Sequence, residues 1–217
     1  QAEFDHRAAV ASSYEPFDGS KSHTFNMMGD DTPFFASLLE DSRFAEAAEQ
    51  MFGDVLAYIA DAKRYVGNTS WHYDGGSYDD SGVHFVMYLQ PVRADTGALR
   101  IIPGSHNSPW FEELDERPPL KYAWARQDYA RAEAPELIDS IPAYVCETDP
   151  GDVVAFDWRL YHATLGGSND RHQVSLDYSS YPKTPQELAV VISEAKGLLA
   201  ERDNSAEPWN PKGSAPD

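Results

Sequence analysis

A single cysteine, Cys146, stands in a chain of 217 residues. An internal disulfide is therefore excluded, and a reducing, cytoplasmic setting is expected. Basic residues are also scarce, with 17 Lys and Arg against 36 Asp and Glu, a formal net charge of −19. Duplex binding needs cations against phosphates, and an anionic membrane attracts the same side chains, so neither nucleic acid nor membrane is expected as a partner. No run approaches the roughly 18 consecutive apolar residues that read as a membrane span. The opening Gln1-Ala2-Glu3-Phe4-Asp5 has none of the basic and apolar character of a secretory leader. Because the first residue is not Met, upstream residues are expected to be missing. Glycine and proline, 14 and 15 residues, fall without period, which excludes collagen-like and low-complexity chains.

What is present is the composition of a folded domain. Hydrophobic residues make up 41% and aromatics 12% of the chain, enough for a core. The length favours one domain, placed at 1–202 and followed by a polar, Pro-bearing tail at 203–217. Residues 1–30 show no clear periodicity and read as a loop-rich lead-in. Thr32-Pro33 predicts a helix start, with Phe34/Leu38 and Phe35/Leu39 as i,i+4 pairs. Asp41 predicts the cap of a second helix, whose Phe44, Ala47, Ala48 and Met51 form one face before Gly53 stops it.

From Val55 the period becomes strand-like. Residues 83–89 alternate with apolar side chains on both faces, and short runs follow at 98–102, 143–147, 153–157 and 171–178, punctuated by Gly and Pro. Many short strands preceded by helices predict a mainly β fold, a sandwich or barrel with flanking helices. Residues 110–140 are charged and aromatic and read as an insertion or lid. Thr184-Pro185-Gln186-Glu187 is a capping box, opening a helix with Leu188, Val191, Ile192, Ala195 and Leu199 on one face.

Chemistry concentrates around two of the seven histidines. His72 and Asp74, in Trp71-His72-Tyr73-Asp74, project to the same side of an extended segment. His162 is expected at the end of the strand 153–157, before the Gly166-Gly167 turn. Two imidazoles and one carboxylate converging from adjacent strands would form the three-ligand face of a non-haem Fe(II) oxygenase; a surface pair or capped turn is the plainer reading of His-X-Asp alone. Nine residues beyond His162, Arg171 opens a strand in which Arg171, Gln173, Ser175 and Asp177 share one face. A guanidinium on a polar inner face suits a dicarboxylate, gripped by two parallel hydrogen bonds. Thr164 lies on the His162 side with a hydroxyl to add. The alternative for Arg171 is an ion pair with a neighbour such as Asp170.

Three segments resemble the phytanoyl-CoA dioxygenase family of Fe(II)/2-oxoglutarate oxygenases: Trp71-His72-Tyr73-Asp74, then Thr96-Gly97-Ala98-Leu99-Arg100-Ile101-Ile102-Pro103-Gly104-Ser105-His106, then Gly151-Asp152-Val153-Val154 through Phe156 and His162 to Arg171. The resemblance implies a double-stranded β-helix, the cupin-like jelly roll. It implies Fe(II) on His72, Asp74 and His162, with the distal carboxylate of the co-substrate 2-oxoglutarate on Arg171, helped by Thr164. It further implies O2 as second co-substrate, ascorbate as a stimulant, and hydroxylation of a small molecule with release of succinate and CO2. A carboxylate at Asp74 disfavours halogenation, which in related enzymes needs a small residue there. His106 is not a ligand by this resemblance, and His84 and His172 read as structural, with a place facing the substrate as the alternative for His84. The chain departs from the family in a short N-terminal region where a strand is expected to be missing. A metal- or 2-oxoglutarate-binding module without catalysis is the alternative function. For the substrate, the charge favours a neutral or zwitterionic metabolite. Lys121, Arg126 and Arg131 form a local basic cluster, and Trp71, Tyr73, Trp110, Tyr122, Trp124 and Trp158 are aromatic candidates for a pocket wall or lid.

Overall fold

Alternation along one strand organises the molecule. In β9 (Arg171–Ser180), Val174, Leu176 and Tyr178 point one way and Arg171, Gln173, Ser175 and Asp177 the other, and all seven are buried. A strand buried on both faces, one apolar and one polar, must separate a hydrophobic layer from a polar interior. The computed structural model of the chain describes residues 1–74, 81–115, 139, 141–167 and 170–202.

The other strands are β1 (His23–Asn26), β2 (Val55–Tyr65), β3 (Thr69–His72), β4 (Gly82–Tyr88), β5 (Leu99–Ile101), β6 (Tyr144–Cys146), β7 (Val154–Asp157) and β8 (His162–Thr164). They form two antiparallel sheets, ordered β1-β2-β9-β4-β7 and β3-β8-β5-β6. From β2 onward the chain crosses repeatedly between the sheets, which is the winding of a double-stranded β-helix. His162 therefore does not end the run 153–157 but opens a strand of its own in the second sheet.

The outer face of the larger sheet carries the main core. Phe25, Ala60, Ala62, Val83, Phe85, Val174, Leu176 and Tyr178 pack against α1 (Ala2–Tyr14), α2 (Pro33–Leu38) and α3 (Ser42–Phe52), which contribute Phe4, Ala8, Phe35 and Ala48. Burial of each large side chain here contributes about 1.5–3 kcal/mol. Tyr178 adds a hydrogen bond from its hydroxyl to Leu39 O at 2.9 Å.

The lead-in at 1–30 is thus not loop-rich: it holds α1 and the edge strand β1. Phe4 is fully buried, 5.2 Å from the Phe25 ring and 4.4 Å from that of His172. Only Phe4, Arg7 and Ala8 of α1 are buried, and Arg7 takes an apolar place by pairing with Asp31 at 2.9 Å, so periodicity could not reveal the helix. Glu3 of α1 also does the capping expected of Thr32, accepting from Phe34 N at 2.9 Å and Phe35 N at 3.0 Å. Thr32 Oγ1 turns back to Gly29 O instead. Asp41 and Gly53 bound α3 as expected, although Met51 is largely exposed. The capping box holds: Glu187 N donates to Thr184 Oγ1 and Thr184 N to Glu187 Oε2, both at 3.2 Å. It opens α5 (Pro185–Arg202), which buries Val191 and Ala195 but leaves Leu188 exposed. Of the expected insertion, α4 (Trp110–Asp115) and Asp139 are described. The rest, with Lys121, Tyr122, Trp124, Arg126, Arg131 and the tail at 203–217, lies outside the described residues.

Candidate metal centre

β3 and β8 lie side by side in a register that sets His72 opposite His162 and Thr69 opposite Thr164. The two imidazoles meet with centroids 4.1 Å apart. Each is oriented by the carbonyl two residues before it: His72 Nδ1 lies 2.7 Å from Ser70 O, and His162 Nδ1 2.8 Å from Leu160 O. A carbonyl can only accept, so both rings carry a proton on Nδ1, which turns Nε2 toward the cluster. Asp74 is fixed through its backbone, whose N–H donates to Trp158 O at 2.8 Å, and its Oδ2 stands 3.1 Å from His162 Nε2. One ligand atom from each of His72, Asp74 and His162 lies within 4.8 Å of the others.

The electrostatics suit a divalent cation. Burial, reinforced by the neighbouring His162, pushes His72 down to about 4 and keeps it neutral. Burial works against the Asp74 carboxylate, but the imidazoles of His162 and His84 beside it outweigh burial and hold Asp74 well below the usual range. Imidazoles with Nδ1–H tied to carbonyls, beside an ionised carboxylate, are the donor set and outer hydrogen bonding that such an ion requires.

His84, expected to be structural, stands in this site. Its Nε2 is 3.0 Å from Asp74 Oδ2 and its Nδ1 2.5 Å from Asp177 Oδ1. Burial opposes its charge, yet Asp177 and Asp74 outweigh burial and raise it to about 10, making it an imidazolium between two carboxylates. The inward alternation of β4 was the available signal, since His84 and Asp177 are register partners of β4 and β9. Trp158 and Phe156 flank the cluster, 6.0 Å from the His84 ring and 5.1 Å from the His162 ring respectively. Trp71, by contrast, packs with Ile102, Leu114, Tyr161 and Ala163 in a separate apolar cluster. His106 follows β5 and is outside the metal cluster.

Arg171 is fully buried on the inner face. Its Nη2 donates to Thr164 Oγ1 at 3.0 Å and its Nη1 to Gly67 O at 3.3 Å, with the guanidinium 5.0 Å from the Tyr65 ring centroid. Nε has no hydrogen-bond partner among the described residues. Asp170 is held elsewhere, by Arg64 at 2.7 and 2.9 Å and by His172 at 2.8 Å. Glycines make the room: a Cβ at Gly97 or Gly167 would stand 2.1 Å from Arg171 Nη1. Thr164 and His162 are two residues apart on β8, about 7 Å at strand rise, so a five-carbon dicarboxylate can reach from the metal cluster to the guanidinium. A buried guanidinium with an unused N–H fits that anion's far end.

A family model described as phytanoyl-CoA dioxygenase matches residues 5–173. Among solved structures, HygX from Streptomyces hygroscopicus, with nickel and 2-oxoglutarate bound, is 16% identical, with 82% of this chain and 78% of that one covered and a TM-score of 0.56. SnoN, described as a non-heme alpha ketoglutarate dependent epimerase from nogalamycin biosynthesis, is 18% identical over 100% of this chain and 87% of its own, with a TM-score of 0.56. EvdMO1 is 18% identical with a TM-score of 0.54; the match covers 83% of this chain but 44% of EvdMO1. Likeness at these identities shows the fold. No curated protein matches in sequence.

Proposed function

The chain belongs to the phytanoyl-CoA dioxygenase family of Fe(II)/2-oxoglutarate oxygenases, and from that premise we propose that it hydroxylates a C–H bond of a small metabolite. In this reading His72, Asp74 and His162 hold Fe(II), and Arg171 with Thr164 binds the distal carboxylate of 2-oxoglutarate. The observation that carries it is the shared ladder of β3 and β8, which sets the histidine pair on one rung and the threonine pair beside Arg171 on another.

Bound iron, with 2-oxoglutarate and O2, supplies the oxidising chemistry, releasing succinate and CO2. The protein's own groups do the positioning. The Nδ1 bonds to Ser70 O and Leu160 O hold the imidazoles in the ligating tautomer. His84, tied to Asp177, fixes the Asp74 carboxylate. Arg171 neutralises and orients the co-substrate's far end, while Thr164 Oγ1 is itself held by Thr69 N at 3.0 Å. Phe156 and Trp158 limit water beside the cluster. A carboxylate at position 74 takes the place a halide would need, so halogenation is disfavoured. The net charge of −19 favours a neutral or zwitterionic substrate over a polyanion.

The test is succinate formation from 2-oxoglutarate with Fe(II) and ascorbate, first without substrate and then across a metabolite panel. Turnover above the uncoupled background, with Arg171→Ala demanding far more 2-oxoglutarate, is expected. Purified protein that retains no divalent metal and forms no succinate would overturn the reading.

A further inference from the structure

Tyr88 ends β4 on the inner face of the larger sheet. Its register partner on β9 is Gln173, two residues along the same face from Arg171, and Arg171 in turn faces Tyr65 of β2. The Tyr88 ring packs among Val92, Ala98 and Leu99, leaving the residue 1% exposed. Its hydroxyl nevertheless has no hydrogen-bond partner among the described residues, and neither has Arg171 Nε. Buried polar groups are nearly always satisfied, because an unmet one forfeits its hydration without return. Two donors on neighbouring strands of one polar face therefore share the lack of an acceptor. The surrounding groups do not supply one: Gln173 donates its Nε2 to Ser175 Oγ while its Oε1 makes no bond with the Tyr88 hydroxyl, and Thr164 Oγ1 already serves Thr69 N and Arg171. Burial pushes the Tyr88 hydroxyl up to about 12, so it stays a protonated donor, although Arg171 nearby works in the opposite sense.

We propose that the Tyr88 hydroxyl donates a hydrogen bond to the distal carboxylate of 2-oxoglutarate, completing the anion pocket that Arg171 and Thr164 begin. The proposal rests on the reading of that pocket given above and adds a binding residue to it. No motif in the sequence marks Tyr88; only its place on the inner face, two positions beyond Val86 and four beyond His84 in the same alternation, sets it on the face that carries Arg171.

The experiment uses the full chain loaded with Ni(II), so that binding is read without turnover. Wild type and Tyr88→Phe are titrated calorimetrically with 2-oxoglutarate and with 2-oxopentanoate, which has the same carbon chain but no distal carboxylate. A hydrogen bond to a charged acceptor is strong enough that Tyr88→Phe is expected to weaken 2-oxoglutarate about tenfold. Both proteins should bind 2-oxopentanoate equally. Because the lost hydroxyl is unpartnered without ligand, ligand-free Tyr88→Phe should melt no lower than wild type. Equal affinity of both proteins for 2-oxoglutarate would overturn the proposal while leaving the pocket intact. Loss of both ligands by one factor would also overturn it, since that is the signature of packing. Failure of wild type itself to bind 2-oxoglutarate would remove the pocket and Tyr88's role together.

Discussion

Gly97→Ala tests how tightly the arginine pocket is built. Gly97 has a φ of 94°, and a Cβ there would stand 2.1 Å from Arg171 Nη1, 2.9 Å from Cζ and 3.0 Å from Cδ. Swinging the guanidinium aside would relieve the first two contacts and leave the one at Cδ. Escape is also closed on another side, where Gly167 lies so near that its own Cβ would meet the same Nη1 at 2.1 Å. Two costs are therefore expected, and they are separable. The left-handed backbone costs an alanine about 1–2 kcal/mol, which for a chain of this size lowers Tm by roughly 2–8 °C. Displacing the guanidinium removes a charge-assisted hydrogen bond to the ligand, ~1.5–3 kcal/mol, or roughly ten- to hundredfold in 2-oxoglutarate affinity. Gly151 supplies the control, with a φ of 106° and nothing within 4 Å of the position its Cβ would take. Gly151→Ala should show the thermal loss and keep the affinity. Thermal melts and co-substrate titration of the Ni(II)-loaded variants read the two effects. Wild-type affinity in Gly97→Ala would refute the claim that the guanidinium, in this position, anchors the anion.

Asp74→Ala should lose stoichiometric divalent metal and with it coupled succinate formation; a full metal complement by elemental analysis would remove Asp74 from the ligand set. Asp170→Asn should lower stability at neutral pH. The hydrogen bond from Arg64 holds Asp170 below its usual 3.8 against a smaller effect of burial, so its contribution is present above that value and lost as pH falls through the folded-state value. The stability gap between the variant and wild type should close in acid, and a gap that persists there would assign the effect to something other than the ionised carboxylate. Phe4→Ala should cost about 3–5 kcal/mol, the range for deleting a buried phenyl group, read as a lower denaturant midpoint; a cost under 1 kcal/mol would mean that α1 contributes little to the core.

The parts of this molecule that were legible in the sequence are those whose cause is local. The helix boundaries at Asp41 and Thr184 follow from side chains within a few residues of the backbone groups they satisfy, and that at Gly53 from a positive φ that glycine adopts freely. The alternation in 83–89 and 171–178 likewise needed nothing beyond strand geometry. His72 and Asp74 could be placed on one side of an extended segment because they are two residues apart. The illegible parts depend on distant partners. α1 has its capping Glu3 serving another helix and its Arg7 replacing an apolar contact, so its pattern is broken for a tertiary reason. His84 looks like any polar residue in a half-apolar strand until β4 pairs with β9 and the Asp74 segment folds over both. Tyr88 is silent for the same reason, since an unpartnered hydroxyl is defined by what the folded chain fails to place beside it.

The two faces of β9 link stability to chemistry. The inner row buries Arg171, Gln173, Ser175 and Asp177, a polar cost that no isolated strand would bear. The outer row offsets it by seating Val174, Leu176 and Tyr178 against three helices. Because the side-chain period is two, slipping the pairing by one residue would exchange these rows, putting the guanidinium in the helical core and the leucine in the pocket. The ten pairs between β2 and β9, broken only by an irregularity between Ala57 and Ile59, together with the seven pairs between β4 and β9, hold that register on both sides. It follows that outer-row substitutions act on folding with little change in ligand affinity, and that inner-row substitutions act mainly on what the barrel binds. The polar interior persists because the apolar exterior of the same strand secures its register.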